Sequence, residues 1–119
     1  MINDVKITTL DADAGIISIK ILGFLDVVLS YRLQSRIEEY IQQGYVNYLV
    51  DCKDLEYISS AGVGVLSSLI IQLQKTQGKM LFLNMPERVI ELLHLTRLSE
   101  IFSIAENADE ALKEFTATP

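Results

Sequence analysis

The chain has 119 residues, half of them apolar, with 10 Lys and Arg against 16 Asp and Glu for a formal charge of −6. That length predicts one domain over residues 1–119, large enough for a core of its own. The acidic balance and scattered basic residues exclude a nucleic-acid partner, whose affinity rests on clustered Lys and Arg.

"VKITTLD" and "GIISIKILG" alternate apolar and polar residues around the turn-like "ADAG", which predicts an opening β-hairpin. "LSYRLQSRIEEYIQQG" then sets Leu29, Leu33, Ile37 and Ile41 four apart on one helical face, with Gly44 as the stop. "YVNYLVDC" is almost continuously apolar, as a strand covered on both faces would be. After the stretch "DLEYISSAGVGVL", Leu66, Leu69, Ile70 and Leu73 follow helical spacing, and Gly78 is expected to supply the left-handed stop. With "KMLFLN" this completes a strand-helix-strand crossover, expected to be parallel and right-handed. Pro86 suits the first turn of a helix over "ERVIELLHL". "IFSIA" is expected as a last strand, and Asn107 with Glu110 resembles a capping box before "EALKEF". "TATP", residues 116–119, reads as a frayed tail. The expected fold is α/β, a mixed four- to five-stranded sheet with about four helices.

The longest apolar runs fall far short of the ~20 residues of a membrane helix, and the acids of "MINDVKITTLDADAG" do not suit a signal peptide. Cys52, alone in the chain, reads as a core thiol in a reducing compartment. A cytoplasmic protein without a membrane partner is expected. One Cys and one His offer no metal constellation, so neither metal nor cofactor is expected.

Ser59 and Ser60 sit where a strand gives way to a helix, the end of an open α/β sheet at which ligands gather. Either hydroxyl could cap the helix. A nucleophile elbow, G-x-S-x-G, is a poor match: Ile58 holds the first glycine position, and His94, on an expected helix surface, is the only base of its type. Gly62, Gly64 and Ser67 give a G-x-G-x-x-S pattern, but the acid needed about twenty residues on is missing from "LFLN". Both glycines are better read as letting the helix start pack closely on the sheet. The remaining reading is modification, since a helix N-terminus tolerates the ~−2 charge of a phosphoryl group.

"DLEYISSAGVGVL" resembles the phosphorylation-site signature of the STAS domain family, D-L-x-x-x-[DS]-S-x-G-x-x-x-L, whose small bacterial members are anti-sigma factor antagonists. "ILGFLD" resembles that family's G-x-L-D turn, and "LFLNMPERVIELLHLTRLSEIFSIAENADEAL" its C-terminal half, so the likeness spans the chain. The resemblance implies the STAS fold and a partner switch. The unphosphorylated antagonist binds an anti-sigma factor that is also a GHKL-type serine kinase and so frees a sigma factor; phosphorylation abolishes binding, and a PP2C-type phosphatase resets it. Ser60 matches the family's phosphoacceptor, with Ser59 a second candidate; Ser59 stands where aspartate is common, and Asp26 matches an aspartate near the partner-contacting face. Phe24 replaces the commoner glutamate of G-E-L-D and sets an aromatic near that face, either as an exposed binding anchor or as a half-buried residue at a strand end. Phe24, Asp26, Ser59, Ser60, Gly62 and Gly64 are therefore the expected partner-binding residues. Two rivals stand beside this reading: an unmodified STAS scaffold or small subunit of a sensory or lipid-transport complex, and a small nucleotide-binding or hydrolytic protein.

Overall fold

A computed structural model describes residues 2–116. Its elements run β1 (Asp4–Asp11), β2 (Ile16–Leu25), α1 (Val27–Gln42), β3 (Asn47–Asp51), β4 (Leu55–Ile58), α2 (Ser60–Lys75), β5 (Lys79–Leu83), α3 (Glu87–Leu95), β6 (Ser103–Ile104) and α4 (Ala108–Thr116). The mixed α/β architecture is the expected one, with β4 as a sixth strand inside what the sequence presents as a loop. Residues 117–119 of the expected tail lie outside the described residues, while Thr116 closes α4.

The sheet runs β1-β2-β3-β5-β6, antiparallel only between β1 and β2 and parallel elsewhere. β2 is long enough for two partners in succession. Its first half, Ile16 to Lys20, pairs with β3, and its end, Gly23 to Leu25, pairs with β4. The period-2 alternation sorts side chains by face. Ile17, Ile19, Ile21, Tyr48, Val50 and Phe82 point into the main core beneath α1, α2 and α3, whereas Leu49, Leu81 and Leu83 meet Ala111 of α4 on the other side. β3 is thus covered on both faces, as its apolar run requires. Cys52 is buried among the core residues.

The α1 stripe folds as its spacing dictates, with Leu29, Leu33 and Ile37 buried and Ile41 packed partly against the core. Three helices end in the same Schellman arrangement. At α2, the Gly78 N–H donates to the Leu73 carbonyl at 2.8 Å and the Gln77 N–H to that of Gln74 at 3.2 Å. This corrects one expectation: the left-handed residue is Gln77, at φ 62°, not Gly78. Gly78 is needed for a different reason, because a Cβ there would lie 2.8 Å from the Val46 Cβ and closer still to the Val46 carbonyl oxygen. α1 ends with Gly44 at φ 96° and α3 with Arg97 at φ 60° in the corresponding position.

Two smaller expectations at helix starts also change. Pro86 occupies the N-cap of α3, extended at ψ 142°, rather than the first helical position; its carbonyl accepts from the Val89 and Ile90 N–H groups. At α4, Asn107 Oδ1 accepts from the Glu110 N–H at 2.9 Å, as a capping box requires, but the Glu110 carboxylate lies 3.7 Å from Lys113 Nζ instead of reaching back.

Candidate functional site

The end of β2 and the end of β4 lie side by side, and each runs into a helix. The N-termini of α1 and α2 are therefore brought together at the C-terminal edge of parallel strands, where unpaired N–H groups accumulate.

The two starts are capped differently. Asp26 Oδ1 accepts from the Leu29 N–H at 2.8 Å and caps α1. Ser59 caps α2, its Oγ accepting from the Gly62 N–H at 3.0 Å. The same hydroxyl donates to the Leu25 carbonyl at 2.8 Å, and that carbonyl also takes the Ser59 N–H at 3.0 Å. Ser59 is thus both cap and bridge. An aspartate in its place would keep the capping acceptor but have no proton to give Leu25 once ionised.

Ser60 is the first residue of α2 and is exposed. Of the two hydroxyls, that of Ser59 is engaged on both sides while that of Ser60 faces solvent. The first turn of α2 holds no acidic residue, so its positive dipole end is not already neutralised by a neighbouring carboxylate.

Gly62 and Gly64 part company. A Cβ at Gly62 would lie 2.7 Å from Ile58 Cγ1, 3.0 Å from Leu25 Cδ2 and 3.1 Å from Ser30 Oγ, so the missing side chain lets α2 press on β4 and α1. Ser30, fully buried, spends its own hydroxyl on the Asp26 carbonyl. Gly64 corrects the sequence reading, for it is exposed and a Cβ there would meet nothing within 4 Å.

Phe24 follows a register shift in the β2–β4 ladder. It is 37% exposed and lies against Tyr57, with ring centroids 6.0 Å apart at 45°. Sequence reasoning missed Tyr57 because β4 itself was not recognised. It also missed Val27, Val28 and Tyr31, which are exposed just beyond the Asp26 cap. The available signal was their position off the Leu29, Leu33 and Ile37 stripe.

His94 lies exposed on α3. Burial, with Asp51 beside it, pushes the Cys52 thiol up to about 12, which keeps it protonated and unreactive. Among the described residues no cluster of three His, Cys, Asp or Glu is arranged to hold a metal ion, and no helix is long and apolar enough to cross a membrane.

The structure is thus a mixed α/β sheet in which two capped helix starts meet beside an exposed serine. The STAS domain model matches residues 8–111, and the chain belongs to that family. The anti-sigma-B factor antagonist of Bacillus subtilis is 28% identical over 93 residues, 78% of this chain and 84% of its own. BtrV of Bordetella bronchiseptica, a candidate anti-sigma factor antagonist, is 26% identical over 112 residues, 93% of this chain and 97% of its own. The fold superposes on the unphosphorylated form of the anti-sigma factor antagonist SpoIIAA with a TM-score of 0.80 at 19% identity, covering 93% of this chain and 95% of that one.

Proposed function

We propose that this chain is an anti-sigma factor antagonist acting in the cytoplasm by partner switching, with Ser60 as its control point. The observation that carries the proposal is the division of labour between adjacent serines: Ser59 Oγ is engaged with Leu25 and Gly62, whereas Ser60 is exposed at the first turn of α2. Relatives that span nearly the same length are named for this activity, and SpoIIAA, which shares the fold, is known in phosphorylated and unphosphorylated forms.

Unphosphorylated, the chain binds an anti-sigma factor that is also a GHKL-type serine kinase, and a sigma factor is released. In the kinase step the Ser60 hydroxyl loses its proton and Oγ bonds to the γ-phosphorus of ATP as the bond to the β,γ-bridging oxygen breaks, leaving ADP. A PP2C-type phosphatase hydrolyses the ester and restores the hydroxyl. The switch is electrostatic. A group of charge about −2 at the helix start is tolerated by the α2 dipole, but burying it uncompensated in an interface costs several kcal/mol, and each ~1.4 kcal/mol is tenfold in affinity. The chain serves as a binding module and supplies no catalysis of its own.

The test is intact-mass and peptide mapping of the protein isolated from its own host. A satellite about 80 Da heavier that maps to Ser60, persists in Ser59→Ala and vanishes in Ser60→Ala is expected. A satellite on Ser59 instead, or none in cells lacking the phosphatase, would overturn the assignment.

A further inference from the structure

The residues ahead of β1 close over the point where β2 changes partner. The β1–β2 ladder starts with Asp4 opposite Leu22. The next residue of β2 is Gly23, at φ 75°, where the ladder to β4 shifts register. On the β4 side the Gly23 N–H donates to the Asp54 carbonyl at 2.9 Å. Beyond the last β1 rung, the Phe24 N–H donates to a side chain instead, Asn3 Oδ1 at 2.9 Å. The fit is close: a Cβ at Gly23 would lie 3.3 Å from Asn3 Cα, 2.6 Å from the Ile2 carbonyl oxygen and nearer still to Asn3 Oδ1. Phe24 is held from its other end too, its carbonyl accepting the Asp26 N–H at 2.9 Å. From there the connections fork. Asp26 caps α1 through the Leu29 N–H at 2.8 Å, and Leu25, between Phe24 and Asp26, gives its carbonyl to Ser59, the cap of α2. An exposed asparagine 21 positions before Phe24 is thus the first link in a run of hydrogen bonds and covalent neighbours that ends at both caps.

We infer that Asn3 is a positioning residue: its side chain holds Phe24, and with it the turn through Leu25 and Asp26, in the geometry from which Ser60 is presented. This deepens the function proposed above and rests on it. An exposed hydrogen bond of this kind adds little to global stability, because water competes for both groups. Its effect is on direction. Gly23 is conformationally permissive and constrains the chain weakly by itself, so the Asn3 oxygen selects the path by which β2 leaves it. Ile2, 78% exposed, contributes little burial, which leaves the Asn3 side chain and the close fit over Gly23 to attach the segment. Only an acceptor oxygen is required at position 3, and an aspartate supplies one.

The test compares the full wild-type chain with Asn3→Ala and Asn3→Asp by two readouts. In amide NMR spectra, Asn3→Ala should shift the Asp26 and Ser59 signals along with that of Phe24, and Asn3→Asp should restore them. In titrations with the anti-sigma kinase captured from host lysate by the unmodified chain, Asn3→Ala should raise the dissociation constant about fivefold, and Asn3→Asp should return it to within about twofold of wild type. An asparagine with a merely structural role would leave that constant alone, since losing one exposed hydrogen bond leaves the chain folded. Asp26 and Ser59 signals that stay put in Asn3→Ala would overturn the inference, as would an Asn3→Asp chain that behaves like Asn3→Ala. If Ser60→Asp abolishes kinase binding while Asn3→Ala binds like wild type, the inference fails and the proposed switch stands. If the unmodified chain captures no anti-sigma kinase, the proposed switch fails, and the amide signals alone decide whether Asn3 positions the Ser59 cap.

Discussion

Leu25 and Ser59 are joined twice, the Leu25 carbonyl accepting the Ser59 N–H at 3.0 Å and the Ser59 hydroxyl at 2.8 Å. One backbone oxygen at the end of β2 thereby fixes the residue that caps α2, and Ser60, the first residue of the helix, is presented from that fixed point. Position and availability are supplied by different serines.

Ser59→Ala removes the α2 cap and the hydroxyl half of the bridge, and should lower stability by about 1–2 kcal/mol in urea unfolding. Ser60→Ala, at an exposed position with no such partners, should stay within about 0.5 kcal/mol of wild type. Ser59→Asp should fall between wild type and Ser59→Ala, because it caps but does not donate to Leu25. Equal midpoints for the two alanine variants would contradict the assignment of roles.

The two glycines of α2 should respond with opposite signs. Gly62→Ala forces a methyl group to 2.7 Å from Ile58 Cγ1 and should cost about 1–3 kcal/mol. Gly64→Ala meets open space and should gain about 1 kcal/mol from helix propensity. Thermal melts of the two variants check this directly.

Asp26 carries a structural duty as well as its proposed contact role. Asp26→Ala should cost about 1 kcal/mol through loss of the Leu29 cap. Asp26→Asn keeps a capping oxygen and most of that stability, so any loss of anti-sigma factor binding in Asp26→Asn reports on the charge at the interface. Calorimetric titration beside a melt separates the two.

The Cys52 thiol, pushed up to about 12 by burial and then by Asp51, is protonated in the folded chain at pH values where the unfolded thiol ionises. Its folded pKa is raised, so its contribution to stability is complete below the unfolded value and is lost as pH rises from about 9 towards 12. The slope approaches ~1.4 kcal/mol per pH unit within that window. Tyr48, lifted above the ordinary phenol range by burial and by Tyr40, adds to the loss at the alkaline end. Urea midpoints across the window should fall, the Cys52→Ala midpoints should fall less steeply between pH about 9 and 10, and a thiol reagent at neutral pH should leave the folded chain unmodified.

Much of this was readable from local pattern. The hairpin alternation, the Leu29, Leu33 and Ile37 stripe, and the strand-helix-strand crossover each follow from a period of 2 or 3.6, and "YISSAG" marks the helix start. What escaped depends on distant partners. β4 is only four residues, Leu55–Ile58, and becomes a strand by pairing with Gly23 to Leu25 more than thirty positions earlier. Gly78 looks like a stop signal, but its need is set by Val46 across the fold. Which serine caps is likewise decided by Leu25, not by anything adjacent to the serines.

The most direct test of the partner switch is a side-by-side pull-down from host lysate with the unmodified chain and Ser60→Asp as baits, the captured proteins being identified by mass spectrometry. The account predicts a GHKL-type anti-sigma kinase on the unmodified bait and its loss or sharp decline on Ser60→Asp. Capture of the same proteins by both baits, or of transporter subunits in its place, would contradict it and leave Ser60 as an ordinary first-turn residue of a scaffold.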